Sequence, residues 1–361
     1  MNNNEWQWKK QMKSQNTAFS KLNLLVSLRI LGLISLIFIG NWPTSGKSEE
    51  VLSEVILNSK AGEKHRDSSS NAPVFSNITS PQDVMTYPGF GDFGRLIFPV
   101  RNDYFSGNTL GTLSFTWYNN IQPDKTVEIV NYMKRHVDAG KSIFYDIYTK
   151  EEKAADPTKM DTGLFFFKGN PGEKLAITNS GGGFVYVGAM HDSFPHALEL
   201  SKKGYNAFAL IYRPGTITGC EDLARAIAFI FDNADELEVD TEDYSLWGGS
   251  AGARIAAWLG ANGTESYGQG TYPRPAAVVM QYTALSEVTG DEPPTYNNVG
   301  SRDAIADYRI MERRINAIKE NGTDTEIEVF EGLPHGFGLG TGTISEGWLD
   351  NAVKFWERQM K

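Results

Sequence analysis

Cysteine is almost absent from this sequence, because Cys220 is the only one among 361 residues. A single cysteine excludes an intramolecular disulfide, so the folded chain depends on its core for stability. Cys220 also lies far from the apolar N-terminal stretch, which excludes a lipid-bearing cysteine directly after a signal segment. If the protein is exported, the lack of disulfides fits a bacterial cell envelope better than a eukaryotic secretory route.

Positive charge is also scarce. The chain has 34 Lys and Arg against 44 Asp and Glu, which gives a formal net charge of -10. Outside the N-terminus no run of basic residues interleaved with aromatic ones occurs, so nucleic acid is not an expected partner. With 40% hydrophobic residues the chain can bury a large core. This composition predicts one main globular domain with attachments.

Long apolar runs are missing except near the N-terminus. Basic residues precede an uncharged, mostly apolar stretch at 30–39, a pattern typical of a signal peptide. Extending this stretch back to Leu22 would place Arg29 inside the hydrocarbon of a membrane. We therefore predict that residues 1–46 are either a cleaved signal peptide or an uncleaved membrane anchor. The protein is then extracytoplasmic, and it associates with a membrane only through this segment.

Two segments separate this N-terminus from the predicted sheet. Residues 47–85 are rich in Ser, Asn, Lys and Glu and poor in aromatic residues, which predicts a flexible spacer. Residues 86–141 combine glycine with aromatic side chains and end in a helix that begins at Pro123 and stops at Gly140. This second segment is either a cap or binding wall over a site, or an extension packed on the edge of the sheet.

Strands alternate with helices from residue 142 to the C-terminus. The first two strands indicate an antiparallel pair, and the main helices are expected at 221–237 and 304–319. The predicted fold is α/β, with a doubly wound, mostly parallel central sheet, helices on both faces and an N-terminal extension. The predicted strands are 142–148, 162–167, 175–178, 207–212, 244–247, 277–280, 295–299 and 327–330.

The stretch Gly248-Gly249-Ser250-Ala251-Gly252 contains the candidate nucleophile. A G-x-S-x-G sequence between a short strand and a helix of small residues is typical of a nucleophile elbow, which exposes the serine hydroxyl on a strained turn. Side chains at Gly248 and Gly252 would collide with the neighbouring strand and helix. The helix that follows directs its free N–H groups at the serine. The alternative is a glycine-rich turn without a chemical role.

A glycine run, Gly181-Gly182-Gly183, follows the third predicted strand. Without side chains, its backbone N–H groups can approach a bound carbonyl oxygen closely. The run matches neither a phosphate-binding loop nor a dinucleotide fingerprint. We predict an oxyanion hole formed by the amides of Gly182, Gly183 and, from the elbow, Ala251.

The partners of Ser250 are predicted from their order along the chain. In a fold built around a nucleophile elbow, the acid and then the histidine follow the serine along the chain, and among five histidines His335 alone follows Ser250. Asp303 ends the preceding strand and turn, where its carboxylate would orient the imidazole of His335. A helix N-cap is the alternative role for Asp303, and Asp291 is the alternative acid.

Together, the glycine run, the stretch 212–215 (Tyr-Arg-Pro-Gly), the elbow, Asp303 and the stretch 334–337 (Pro-His-Gly-Phe) resemble the esterase and lipase branch of the alpha/beta-hydrolase superfamily. The resemblance covers residues 142–361. Within that branch the sequence is similar to bacterial acetyl xylan esterase and feruloyl esterase-like proteins. It departs from the hormone-sensitive-lipase-like pattern, because Ser180 stands where that group has histidine. The resemblance implies a Ser-His-Asp mechanism without a metal or cofactor.

These features predict a serine carboxylic-ester hydrolase. The stretch 282–291 between two strands is too short for a large lid, which favours small soluble esters, and the expected export favours carbohydrate-linked acyl esters. A peptidase or acyltransferase of the same fold shares this chemistry and remains an alternative. A non-catalytic surface binding protein is the alternative from a different class.

Overall fold

Ten strands form the β structure of the residues that the computed structural model describes, which are 74–100, 104–118 and 121–361. Two of them pair as a short antiparallel ladder, and the other eight form one sheet. The strands are β1 (Phe105–Ser106), β2 (Ser114–Phe115), β3 (Phe144–Tyr145), β4 (Gly163–Phe167), β5 (Lys174–Asn179), β6 (Asn206–Ile211), β7 (Asp240–Gly249), β8 (Ala277–Gln281), β9 (Thr295–Gly300) and β10 (Thr325–Phe330).

The strand order across the sheet is β10-β9-β8-β7-β5-β6-β4-β3. β4 is antiparallel to both β3 and β6, and all other neighbours are parallel. The connections from β5 to β6 and from β7 to β8 run in opposite directions across the sheet. Because such crossovers are right-handed, their helices lie on opposite faces. The carboxyl ends of β5 and β7 therefore meet at the centre of one sheet edge, where this class of fold builds its sites.

Helices cover the sheet and connect its strands. One face carries the pair formed by α6 and α8, and α2 packs against α5. The helices are α1 (Pro81–Met85), α2 (Pro123–Asp138), α3 (Lys150–Ala155), α4 (Ala189–Asp192), α5 (Phe194–Lys202), α6 (Thr216–Asp232), α7 (Ala234–Leu237), α8 (Ala251–Asn262), α9 (Tyr308–Glu320) and α10 (Trp348–Glu357). Short 3₁₀ turns occupy Pro88–Leu96, Leu110–Thr112, Pro157–Asp161 and Thr264–Tyr267.

The central strands are buried on both faces. Every residue of β4, β6, β8 and β9 is buried, and so is all of β5 after its first residue. Because helices remove both faces of the sheet from water, β4, β6 and β8 consist mostly of apolar residues, whereas β9 buries the polar side chains of Asn297 and Asn298. The rings of Phe166 and Phe208 stack across β4 and β6 with their centroids 4.2 Å apart. Apolar burial of this kind contributes roughly 25 cal/mol per Å² and makes the sheet a rigid base.

The first part of the N-terminal extension packs on the edge of the sheet. The ring of Phe93 stacks on Phe144 of β3 at 5.1 Å and meets the ring of Phe165 edge-on at 5.8 Å. This position agrees with one of the two alternatives for residues 86–141. The later part of the same segment lies beside the glycine run at 181–183.

Residues 74–85, which we predicted as the end of the spacer, belong to the folded unit instead. Phe75 donates its backbone N–H to Asn131 Oδ1 at 3.0 Å and accepts a 2.8 Å hydrogen bond from Asn131 Nδ2 on its carbonyl. Phe75 and Val84 are buried. These contacts satisfy and cover the backbone, so residues 74–85 are part of the folded unit.

The predicted fold class is confirmed, and all eight predicted strands are present in one mostly parallel sheet. Several boundaries differ from the predictions, and β7, for example, begins at Asp240 rather than 244. The first strand shortens to β3, α6 begins five residues early at Thr216, and α9 begins at Tyr308 rather than 304. In the last case the side chain of Asp303 accepts the amides of Ile305 and Ala306, which makes a turn where we expected a helix.

The predicted signal or anchor at 1–46 and the spacer at 47–73 lie outside the described residues. Within the described ranges, no helix combines the length and the apolar character needed to cross a membrane.

Replacing Asn131 by Ala should lower the free energy of unfolding by about 1–3 kcal/mol, because the buried N–H and C=O of Phe75 lose their partners. Urea denaturation measures the change. Arg135→Ala, at an exposed position of the same helix, is the matched control and should change stability by less than about 0.5 kcal/mol. Equal stabilities of the two variants would show that these hydrogen bonds do not anchor the segment.

Candidate active site

Ser250 lies between the end of β7 and the start of α8. Its backbone has φ 51° and ψ -112°, in a region that side chains rarely adopt. The Ser250 amide donates to the carbonyl of Gln281 at the end of β8, at 2.9 Å. This hydrogen bond and the flanking strand and helix hold a conformation that costs of order 1–3 kcal/mol. Ser250 is half-buried, so its hydroxyl remains accessible at the edge of the sheet.

Gly252 is required because β5 approaches the elbow closely. A Cβ placed on Gly252 would overlap the carbonyl oxygen of Asn179 and lie 2.6 Å from that of Ser180. A Cβ on Gly248 would likewise overlap the carbonyl of Gly252. The steric role predicted for both glycines therefore has a structural basis in backbone atoms, which cannot move aside.

Ser250, His335 and Asp303 form a continuous line of hydrogen bonds. His335 Nε2 lies 3.1 Å from Ser250 Oγ, and His335 Nδ1 lies 2.7 Å from Asp303 Oδ2. A carboxylate can only accept a hydrogen bond, so the proton of the neutral imidazole is on Nδ1 and Nε2 faces the serine as an acceptor. The structure thus brings together the three residues that the sequence assigned to one site.

Asp303 is fixed by both of its oxygens. Oδ1 accepts the amides of Ile305 at 2.8 Å and Ala306 at 2.7 Å, which leaves Oδ2 for His335. The side chain of Asp303 is fully buried. The alternative role of helix N-cap belongs instead to Asp307, whose side chain accepts the amide of Arg309. Asp291, the alternative acid, lies exposed in a turn.

Hydrogen bonds donated by backbone N–H groups connect the loop of His335 to the loop of Asp303. Arg302 N–H donates to the carbonyl of Leu333 at 3.1 Å, and Gly332 N–H donates to Ser301 Oγ at 2.8 Å. These bonds extend the parallel pairing of β9 and β10 beyond their ends. The histidine therefore reaches the aspartate because adjacent strands deliver both loops to one place.

The predicted oxyanion amides have no partner within the described residues. The N–H groups of Gly182, Gly183 and Ala251 make no hydrogen bond to any part of the chain that the structure describes. The preceding residue of the loop, Ser180, is held by its carbonyl, which accepts the hydroxyl of Tyr212 at 2.7 Å. The loop is thus anchored while the three amides stay available as donors.

Asp192 is a buried carboxylate that the sequence analysis missed. Its Oδ1 accepts the amide of Gly181 at 3.1 Å, and its Oδ2 accepts the hydroxyl of Tyr282 at 3.2 Å. Burial raises the pKa of Asp192 to about 6, although these hydrogen bonds oppose the shift. Asp192 therefore positions the glycine loop from behind. Nothing in the local sequence marks it, because its partners come from distant segments.

Two further histidines are buried behind the glycine loop. Burial lowers the pKa of His191 to about 3 and that of His196 to about 4, so both are neutral at pH 7. Across the described residues, no group of three or more His, Cys, Asp or Glu side chains is placed to hold a metal ion.

The later part of the N-terminal extension lies against the glycine loop. A Cβ placed on Gly183 would be 2.8 Å from the ring of Trp117. Trp117 stacks on Tyr186 with centroids 5.8 Å apart and an interplanar angle of 9°, and Tyr104 completes this aromatic group. Trp117 and Tyr104 are half-buried. Both interpretations of the extension therefore apply, because one part packs on the sheet edge and another part borders the site.

The sheet order and the strand–turn–helix elbow define the α/β-hydrolase fold, as the sequence resemblance predicted. The BD-FAE family model matches residues 168–303, a stretch that includes the glycine loop and the elbow and ends at the aspartate. No curated protein matches the sequence.

Several solved structures share the fold. The acetyl ester-xyloside bifunctional hydrolase from Caldicellulosiruptor lactoaceticus is 19% identical, with a TM-score of 0.50 over 60% of this chain and 95% of its own. The thermophilic esterase 2 of Thermogutta terrifontis is 21% identical, with a TM-score of 0.47 over 55% of this chain and 89% of its own. A sugar hydrolase from Lactococcus lactis is 21% identical, with a TM-score of 0.47 over 55% and 94% of the two chains.

Replacing Gly252 by Ala should destabilise the protein by about 1–3 kcal/mol, because the new methyl group overlaps backbone of β5. Thermal unfolding measures the effect. Gly270→Ala is the matched control, since a Cβ there meets only a ring carbon of Tyr272 at 3.6 Å. An unfolding midpoint for Gly252→Ala equal to that of the control would contradict the close approach.

The stability difference between the wild type and Asp192→Asn should depend on pH. The folded protein keeps Asp192 protonated up to about pH 6, whereas the ordinary pKa is 3.8. The folded state therefore binds more protons in this range, and the contribution of Asp192 to stability falls as the pH rises from 3.8 through 6. Urea denaturation at several pH values should show the wild type losing up to about 3 kcal/mol relative to the variant. A pH-independent difference would refute the shift.

Proposed function

We propose that this protein is a serine carboxylic-ester hydrolase that acts on small or carbohydrate-linked acyl esters. The observation that carries the proposal is the hydrogen-bonded line from Ser250 through His335 to Asp303. A hydroxyl, an imidazole and a buried carboxylate in this order are the parts that nucleophilic acyl transfer requires. The α/β-hydrolase fold supports the assignment, because it presents the serine at the open edge of the sheet.

In the first step, Ser250 Oγ attacks the ester carbonyl while His335 Nε2 takes its proton. Asp303 stabilises the imidazolium that forms and keeps the ring oriented. The carbonyl oxygen becomes negatively charged and is held by the amides of Gly182, Gly183 and Ala251. Each such donor contributes roughly 3–4 kcal/mol to stabilisation of the transition state. His335 then gives its proton to the leaving alcohol, and an acyl-serine remains.

In the second step, water replaces the alcohol. His335 takes a proton from this water, and the resulting hydroxide attacks the acyl-serine carbonyl. The same amides hold the second tetrahedral intermediate. Its collapse releases the carboxylic acid, and the proton returns from His335 to Ser250 Oγ. Both steps therefore use the residues already in place, with one imidazole acting in turn as base and acid.

Three observations support small or sugar-linked esters as the substrate class. The segment 282–294 between β8 and β9 is short and leaves little room for a lid. The half-buried ring of Trp117 borders the glycine loop and packs against the half-buried ring of Tyr104, and flat aromatic surfaces of this kind suit a sugar ring or an acyl group. The fold neighbour from Caldicellulosiruptor lactoaceticus is described as an acetyl ester-xyloside hydrolase. An extracytoplasmic location, which we propose from the N-terminal segment, agrees with this class.

Hydrolysis of a chromogenic ester series from acetyl to long acyl chains, measured on the full chain, tests the proposal. The wild type should turn over short esters fastest, and Ser250→Ala should lower kcat by on the order of 10³-fold or more. Ser266→Ala, at an exposed position after α8, is the matched serine control and should keep full activity. Equal rates for the wild type and Ser250→Ala on every ester would reject an esterase and favour a non-catalytic binding role. Serine-dependent cleavage of peptides alone would favour a peptidase.

A further inference from the structure

Tyr118 comes from the N-terminal extension and enters the site from outside the sheet. It follows β2, and its amide donates to the carbonyl of Phe115 at 3.0 Å. The ring packs on His191 with centroids 4.3 Å apart and lies nearly parallel to His335 at 6.2 Å, with an interplanar angle of 28°. The side chain is only 1% exposed, so its position is fixed on all sides.

The hydroxyl of Tyr118 points at the nucleophile and the glycine loop. A Cβ placed on Gly181 would overlap this hydroxyl, and the same point lies 2.8 Å from Ser250 Cβ. The phenol oxygen, the backbone of Gly181 and the nucleophile therefore border one small space. Gly181 has no side chain, and any larger residue there would displace the tyrosine.

No residue that the structure describes accepts a hydrogen bond from the Tyr118 hydroxyl. Three other tyrosines around the site do have acceptors. Tyr212 donates to the carbonyl of Ser180, and Tyr282 donates to Asp192. Tyr186 also donates, to the carbonyl of Thr116. The hydroxyl of Tyr118 is therefore available to donate, and its position suits a group that receives its acceptor from a bound molecule.

The Tyr118 hydroxyl keeps its proton under ordinary conditions. Burial, followed by the charge of Asp192, raises the pKa of Tyr118 well above its usual value of 10.0. A neutral phenol is both a hydrogen-bond donor and an acceptor. Beside Ser250 it would therefore meet a substrate as a donor, without bringing a negative charge near a developing anion.

We infer that Tyr118 is an additional oxyanion donor, whose O–H hydrogen bonds to the ester carbonyl oxygen as that oxygen takes negative charge. The inference rests on the proposed ester hydrolysis at Ser250. The proton stays on the phenol throughout, so the chemical steps and their balance are unchanged. Tyr118 would act in both acylation and deacylation, because each passes through a tetrahedral intermediate at the same carbon. A residue outside the predicted hydrolase domain of 142–361 would then complete its catalytic site.

Replacing Tyr118 by Phe removes the hydroxyl and keeps the ring packing. With a short-chain ester, we expect kcat to fall at least about tenfold while KM changes little, because the lost hydrogen bond belongs to the transition state. Tyr244→Phe is the matched control, since Tyr244 is equally buried but donates to the carbonyl of Pro273. Wild-type kinetics in Tyr118→Phe would overturn the inference, and so would a fall in kcat that Tyr244→Phe reproduces.

Varying the leaving alcohol distinguishes two possible roles of Tyr118, as an oxyanion donor or as a group that protonates the leaving oxygen. Esters of one acid with alcohols of increasing pKa should show the same loss of kcat/KM in Tyr118→Phe, and the deacylation rate of the common acyl-enzyme should fall as well. A loss that grows with the pKa of the alcohol and spares deacylation would overturn the oxyanion role.

The tests distinguish failure of this inference from failure of the proposed function. If wild-type protein hydrolyses no ester, or does so without Ser250, the proposed function fails, and the inference fails with it. If hydrolysis depends on Ser250 but not on the Tyr118 hydroxyl, the inference alone is wrong. Equal thermal unfolding midpoints for Tyr118→Phe and Tyr244→Phe would confirm that a lower rate does not come from loss of folded protein.

Discussion

The backbone of Ser250 holds a conformation that a short segment would not keep by itself. The surrounding structure provides the support, since the Ser250 amide is bound by Gln281 of the next strand and Gly252 lies against the end of β5. Neither contact could exist without the parallel pairing of β5, β7 and β8. The burial of these strands stabilises the sheet, and the stable sheet in turn maintains the strained backbone of the half-buried Ser250.

The imidazole of His335 and the carboxylate of Asp303 lie at the same edge of the sheet. His335 follows β10 and Asp303 follows β9, and parallel neighbours end on the same side. The hydrogen bonds between their two loops set the separation of the imidazole and the carboxylate, while Asp303 Oδ1 uses backbone amides to fix its own rotation. The rigid backbone therefore fixes the orientation of the imidazole and the carboxylate. Because both groups are already oriented, little reorganisation is needed when charge develops in the transition state.

Groups outside this edge complete the site from behind and from the front. Asp192 holds the glycine loop through Gly181, and its burial makes the carboxyl a weak acid. From the other side, Trp117 and Tyr118 of the N-terminal extension border the same loop. The extension is thus part of the site as well as a cover for the sheet edge. The geometry around the nucleophile therefore depends on the stable packing of the N-terminal extension.

The sequence by itself determined the α/β fold class, the segments that form the strands of the sheet and the three residues that meet at the sheet edge. It could do so because the deciding rules are local or topological: a strained turn needs glycines around Ser250, and parallel strands deliver Asp303 and His335 to one end. Tertiary structure alone decided the position of Asp192 and Tyr118. Their roles depend on burial and on partners far away in the chain, and no local pattern encodes which distant surfaces will close around a side chain.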